Sequence, residues 1–98
     1  MRKLESSVEN SFVRKCKRLG VWQIKFGVFA FPDRLVLCKG GQLVWVEFKR
    51  PGETLRKNQE IKIRKLRNWG FTVEVIDNNE EAKALAQKLS EKDSKASS

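Results

Sequence analysis

The sequence contains no histidine, and that single absence removes several designs of active site. Ser-His-Asp triads, zinc centres built on imidazole and nucleases with histidine as general base all need a side chain this chain lacks. Any hydrolytic chemistry must come from carboxylates, lysine and a hard metal bound through oxygen. Cysteine is nearly as scarce: Cys16 and Cys38 match no zinc-site spacing and sit inside apolar patterns, so they read as reduced packing thiols. No stretch approaches the roughly 18 apolar residues of a membrane span, and the opening MRKLESSVEN lacks a signal peptide's apolar core. No membrane partner is expected, and the protein should stay in the cytoplasm where it is made.

What is present is basic. The 98 residues carry 21 Lys and Arg against 12 Asp and Glu, a formal charge of +9 that favours polyanionic partners. A chain of this length buries about 65% of its unfolded surface, which makes stability modest and self-association worth considering. It should form one domain over 1–90, with 91–98 a polar, disordered tail and no separate specificity domain.

Residues 4–19 place Val8, Phe12, Val13, Cys16 and Leu19 at helical spacing, with Gly20 as a stop. Residues 21–27 alternate as a strand. Two further strands, RLVLC and QLVWVEF, flank the hairpin loop Lys39-Gly40-Gly41. Both faces of that hairpin are apolar, with Leu35, Leu37, Leu43 and Trp45 on one and Val36, Cys38, Val44, Val46 and Phe48 on the other, so it needs cover on both sides. After Pro51-Gly52, residues 55–69 form a helical stripe of Leu55, Ile63, Leu66 and Trp69, ended by Gly70. A strand over 71–77 and a last helix capped by Asp77 or Asn78 complete the order αβββαβα, an α/β fold with a mixed sheet flanked by helices on both faces.

If Lys39 to Gly41 close the hairpin, Cys38 faces Gln42 and the ladder sets Asp33 directly across from Glu47, their Cβ atoms roughly 5 Å apart. Period-two alternation puts Lys49 on the same face. Two half-buried carboxylates that close repel unless something positive lies with them. Mg²⁺ or Mn²⁺ would resolve the repulsion. So would Lys49 acting as one member of a strand-end ion cluster, and a one-residue slip of the loop would separate the acids altogether.

Two helical residues bear on the choice. Glu9 lies about 20° from Cys16 and about 40° from Val13 around the first helix, so it points with the apolar stripe and could supply a third oxygen. Glu5, one turn earlier, points much the same way. Gln59 lies four residues from both Leu55 and Ile63, where an amide needs a buried partner such as a metal-bound water or a neighbour of Lys49.

Pro32-Asp33 followed by Glu47-Phe48-Lys49 resembles the PD-(D/E)xK nuclease motif. The pieces E-x-K-x-P-G with Arg50 at the variable position, L-x3-Q at Leu55 to Gln59, and an early VExxxV helix at Val8 to Val13 resemble its VRR-NUC branch. The resemblance implies a restriction-endonuclease-like core in which Asp33, Glu47 and the Phe48 carbonyl bind Mg²⁺ or Mn²⁺ and Lys49 orients or helps deprotonate the attacking water. Glu9 would occupy the acidic position of helix one, as a further metal ligand, and Gln59 the helix-two position. Family members often carry glycine two residues before the PD pair, where this chain has Ala30.

The basic residues Lys25, Arg50, Arg56, Lys57 and Lys62 are the expected phosphate contacts. They position a backbone without reading sequence, so selection by DNA shape is expected, and branched DNA above all. The resemblance to small stand-alone members, found in phages and bacteria, implies a dimeric Holliday-junction resolvase, with Trp22 and Trp69 offering contact surface and Trp45 in the core. A sequence-specific restriction-type endonuclease and a non-catalytic DNA-binding module are the competing readings.

Overall fold

A computed structural model describes the backbone of residues 2–96 and the side chains of residues 7–91. The chain forms α1 (Arg2–Leu19), β1 (Trp22–Lys25), β2 (Arg34–Leu37), β3 (Leu43–Phe48), α2 (Lys57–Asn68), β4 (Thr72–Ile76) and α3 (Asn79–Ala96). This is the expected αβββαβα order. The four strands make one sheet in the order β1-β2-β3-β4, with β1, β2 and β3 antiparallel and β4 parallel to β3.

The hairpin has the expected register. Leu35 pairs with Trp45 and Val36 with Val44, and the Cys38 amide donates to the Gln42 carbonyl at 2.9 Å. Gly40 and Gly41 both have positive φ, which is what lets so short a loop reverse the chain without pulling the strands out of step.

One face of the sheet is closed by two helices. Val8, Phe12 and Cys16 of α1 and Ala82, Leu85, Ala86 and Leu89 of α3 pack on Val36, Val44, Val46, Phe48 and Ile76. Phe12 is wholly buried, its ring 5.5 Å from that of Phe48. The other face receives α2 alone. Ile63 and Leu66 meet Trp45 and Val73, with Leu35, Leu55, Val75, Phe26 and Phe31 around them. One helix cannot cover four strands, so Trp22 and Ile24 on β1 stay exposed.

Both helix ends preceding a strand are tied in the same manner. Val21 donates to the Cys16 carbonyl and Phe71 to that of Leu66, each bond spanning the glycine that stops the helix. Asn78, of the two expected caps, accepts the Glu81 amide at 2.8 Å.

Several boundaries differ from expectation, and α2 starts at Lys57, two residues after the expected position. The first strand ends at Lys25, and the chain up to Asp33 is a loop closed by the Phe26 amide on the Asp33 carbonyl at 2.7 Å. The last helix continues through Ala96, into the tail expected to be disordered from 91. Glu91, Lys92, Asp93, Lys95 and Ala96 oppose a packed core but not a helix, since none is a strong breaker.

Candidate active site

Asp33 is the residue next to the last paired position of β2, and its partner strand offers Glu47 and Phe48 at the same level. The Asp33 Oδ2 accepts the Phe48 amide at 2.9 Å, which fixes the carboxylate against β3. Glu47 follows Val46 and alternates to the α2 side. There its Oε2 accepts a hydrogen bond from Gln59 Nε2 at 3.0 Å and lies 3.5 Å from Lys49 Nζ. Glu47 is 2% exposed and Lys49 4%, so this ion pair is sealed from bulk water. Lys49 is anchored by its own amide, which donates to the Ile76 carbonyl of β4 at 2.8 Å.

Gln59 serves two structures at once. Its Oε1 accepts the Arg56 amide at 3.0 Å, closing the N-terminus of α2, while its Nε2 holds Glu47. Arg56 carries only donors and cannot return a capping bond, so the Gln59 amide is what joins the start of α2 to the acid. The partner expected for this amide was a bound water or a neighbour of Lys49. Glu47, which is itself such a neighbour, is that partner.

Just beyond Lys49, the Glu53 amide donates to the Arg50 carbonyl at 2.9 Å, and the Glu53 carboxylate accepts from the Arg50 amide at 3.1 Å and from its guanidinium at 3.4 Å. The Arg50 amide, then the Arg50 side chain, holds the Glu53 carboxyl below its ordinary range. This tight turn hands the chain from β3 to α2.

Glu9 does not join this group. Its Oε2 accepts from Lys25 Nζ at 2.8 Å and from Arg34 Nε at 2.7 Å, and Arg34 also donates to Gln23. Among the described residues no cluster of three or more acidic, cysteine or histidine side chains forms a ready metal cage. The physical reason is alternation: Arg34 is one residue past Asp33 and faces α1, where it and Lys25, its partner across the β1–β2 ladder, claim the Glu9 carboxylate. Sequence reasoning missed Arg34 and Gln23. The signal was the position of Arg34 itself, which an Asp33 facing α2 sends to the opposite side. The side chain of Glu5 lies outside the described residues.

The expected phosphate contacts are scattered around the site. Arg56 and Lys57 stand exposed at the start of α2. Lys62 lies over the Phe31 ring at 4.7 Å, Arg50 is paired with Glu53, and Lys25 with Glu9. Trp45 is buried as expected, with Phe26 edge-on to it at 4.9 Å, and Trp22 and Trp69 are exposed. Among the described residues the Trp45 indole N–H has no hydrogen-bond partner, a cost of order 1–3 kcal/mol set against the packing of three rings.

Chemically, the site offers two hard oxygen ligands and an ammonium on one side of a sheet end, a donor set suited to a divalent ion that keeps several waters. No helix of the described residues is long and apolar enough to cross a membrane.

No family model matches the sequence. Over 79 residues the chain is 33% identical to a protein named "Putative nuclease p44" from Acyrthosiphon pisum secondary endosymbiont phage 1, covering 78% of this chain and 85% of that one. Its fold matches a solved VRR_NUC domain with a TM-score of 0.74 and 23% identity, over 85% of this chain and 94% of that domain. Aligned with that phage protein along most of both chains and built on the VRR_NUC fold, this chain belongs to the same nuclease family as the phage protein.

Proposed function

We propose that this nuclease hydrolyses phosphodiester bonds in branched DNA with the help of Mg²⁺ or Mn²⁺ held by Asp33 and Glu47. The observation that carries the reading is the sealed unit of Glu47, Lys49 and Gln59 beside Asp33. Two carboxylates plus water and phosphate oxygens suit an ion that dehydrates reluctantly. The Phe48 carbonyl would lie beside them, and Glu9 could join only by leaving Lys25 and Arg34. Such an ion, when bound, supplies a more acidic water and draws charge from the phosphoryl oxygens.

The remaining work belongs to side chains of this protein. Gln59 holds one oxygen of Glu47 and leaves that carboxylate a single orientation. The Phe48 amide does the same for Asp33. Lys49, kept in place by Glu47, points ammonium protons at the position where negative charge develops and orients the attacking water. Exposed Arg56 and Lys57, with Lys62, track the phosphate backbone without reading bases, which leaves selection to DNA shape.

Purified protein with labelled four-way junction, flap and linear duplex should cut the branched substrates in Mg²⁺ or Mn²⁺ and not in chelator. Asp33→Ala and Lys49→Ala should lose at least about a thousandfold in rate, roughly 4 kcal/mol of transition-state stabilisation, while still binding the junction. Cutting by Asp33→Ala at the wild-type rate would remove the site from the reaction.

A homodimer suits the two-fold character of a junction. Trp22 pairs with Leu37, which pairs with Leu43, and exposed Phe71 immediately precedes β4, giving an apolar row across the end of the sheet. Sedimentation should give a dimer that Trp22→Ser converts to monomer; a monomeric wild type at micromolar concentration would dismiss this interface.

A further inference from the structure

The loop between β1 and β2 is built at its base and left bare at its tip. Phe26 and Phe31 pack with Trp45, their centroids 4.9 and 5.8 Å from the indole, and Pro32 is fully buried. The Phe26 amide closes the loop on Asp33, and the Phe31 amide donates to the Val28 carbonyl at 3.1 Å across a four-residue turn. The third residue of that turn, Ala30, has a φ of 67°, a conformation that alanine adopts only under constraint. The second residue, Phe29, is 77% exposed, and Val28 beside it is 50% exposed.

Among the described residues no contact accounts for Phe29. Three aromatic residues and a strained turn fix the loop, yet its largest tip side chain packs on nothing that would use its 150–250 Å² of burial. The surroundings limit what could cover it. Lys62 lies on Phe31 and Asp33 follows directly, while Lys25 and Arg34 at the two ends of the loop are already paired with Glu9, so Lys62 is the cation beside the tip. A second copy of a chain of formal charge +9 would bring the same cations against these. Nucleic acid brings phosphates for the cations and a flat, apolar base for the ring.

We propose that Phe29 is a stacking wedge that takes an unpaired or weakly stacked base at a DNA branch point and so places the neighbouring phosphate at Asp33. This rests on the branched-DNA reading above and supplies its source of shape selection. Unstacking is least costly where pairing is already interrupted, so a rigid aromatic tip favours junctions and flaps over continuous duplex. Ring stacking on a base is tolerant of sequence, consistent with a site that reads none.

The test uses the full chain carrying Asp33→Ala, so that substrate survives, and a four-way junction with 2-aminopurine at the branch. Binding should raise 2-aminopurine emission as the base leaves its stack. Adding Phe29→Ala should abolish that rise and weaken junction binding about tenfold, while linear-duplex affinity changes less than about twofold. Phe29→Tyr should restore both. An exposed side chain leaves the fold intact, which an unchanged thermal midpoint checks.

Unchanged junction affinity and emission in Phe29→Ala overturns the wedge even if the wild type cuts junctions well. A wild type that binds junction and duplex equally, with no emission change, overturns it too. A shift of the DNA-free protein from dimer to monomer in Phe29→Ala, with binding unaffected, assigns the residue to a self-contact instead. If the wild type fails to cut branched DNA but Phe29→Ala still loses junction affinity and emission, the wedge stands and the cleavage reading falls.

Discussion

The two faces of the sheet are covered in opposite ways. On the α1 and α3 side, Phe12, Cys16, Val36, Val46 and Phe48 form a closed apolar layer, and charge is confined to its edge as Glu9, Lys25 and Arg34. On the α2 side one helix leaves half the sheet open, and the interior itself holds Glu47 and Lys49. A buried ion pair adds little net stability, because desolvation offsets its attraction. The comparison therefore separates duties: the closed face supplies stability, and the open face holds charges that a fold selected for stability alone would replace with hydrocarbon.

The larger test of that separation is a pH dependence confined to the closed face. Burial, only partly opposed by the Arg34 charge, pushes the Cys16 thiol up to about 12 from its ordinary 9.0. A thiol with a higher pKa folded than unfolded keeps its proton in the native state after the unfolded chain has lost it. Its stabilising contribution is thus whole below about pH 9, the ordinary value, and falls as pH rises toward 12. The expected slope is roughly 1 kcal/mol per pH unit above pH 9. Urea melts at pH 8 and pH 10 should show this loss in the wild type and not in Cys16→Ala, after the shared lysine titration is subtracted. Equal slopes would mean that Cys16 meets solvent and that this face is not closed.

How much of this was legible before the structure depended on local constraint. A short loop with two glycines fixes a hairpin register, so Asp33, Glu47 and Lys49 could be grouped from spacing alone, and Gln59 followed from helical periodicity. The surroundings of Glu9 were hidden for the converse reason. The chain from Phe26 to Asp33 is a loop whose closure depends on Phe26, Phe31 and Trp45 meeting in three dimensions. Nothing local therefore set the β1–β2 register, and without it the approach of Lys25 and Arg34 to Glu9 was invisible. The parallel placement of β4 beside β3 depends on α2 crossing over, which periodicity does not orient. The continuation of α3 through Ala96 escaped because a polar tail lacks the apolar stripe used to recognise helices.

The smallest effect lies on the open face, at Ala30. Family resemblance suggested glycine at this position, and the structure supplies the reason, since φ is 67°. An L side chain there costs roughly 1–2 kcal/mol, while glycine adds backbone entropy to the unfolded chain that offsets part of the relief. Ala30→Gly should therefore raise stability by only about 0.5–1 kcal/mol, read as a higher urea midpoint with an unchanged slope. The same substitution removes the constraint that holds the tip of the loop in one conformation. If rigidity of that tip matters, the more stable variant should discriminate less between junction and duplex, so that stability and selectivity move in opposite directions. A variant that gains both would show that Asp33, Glu47 and Lys49 tolerate a loose loop beside them, and the strain at Ala30 would then be a residue of sequence drift with no part in how the open face meets DNA.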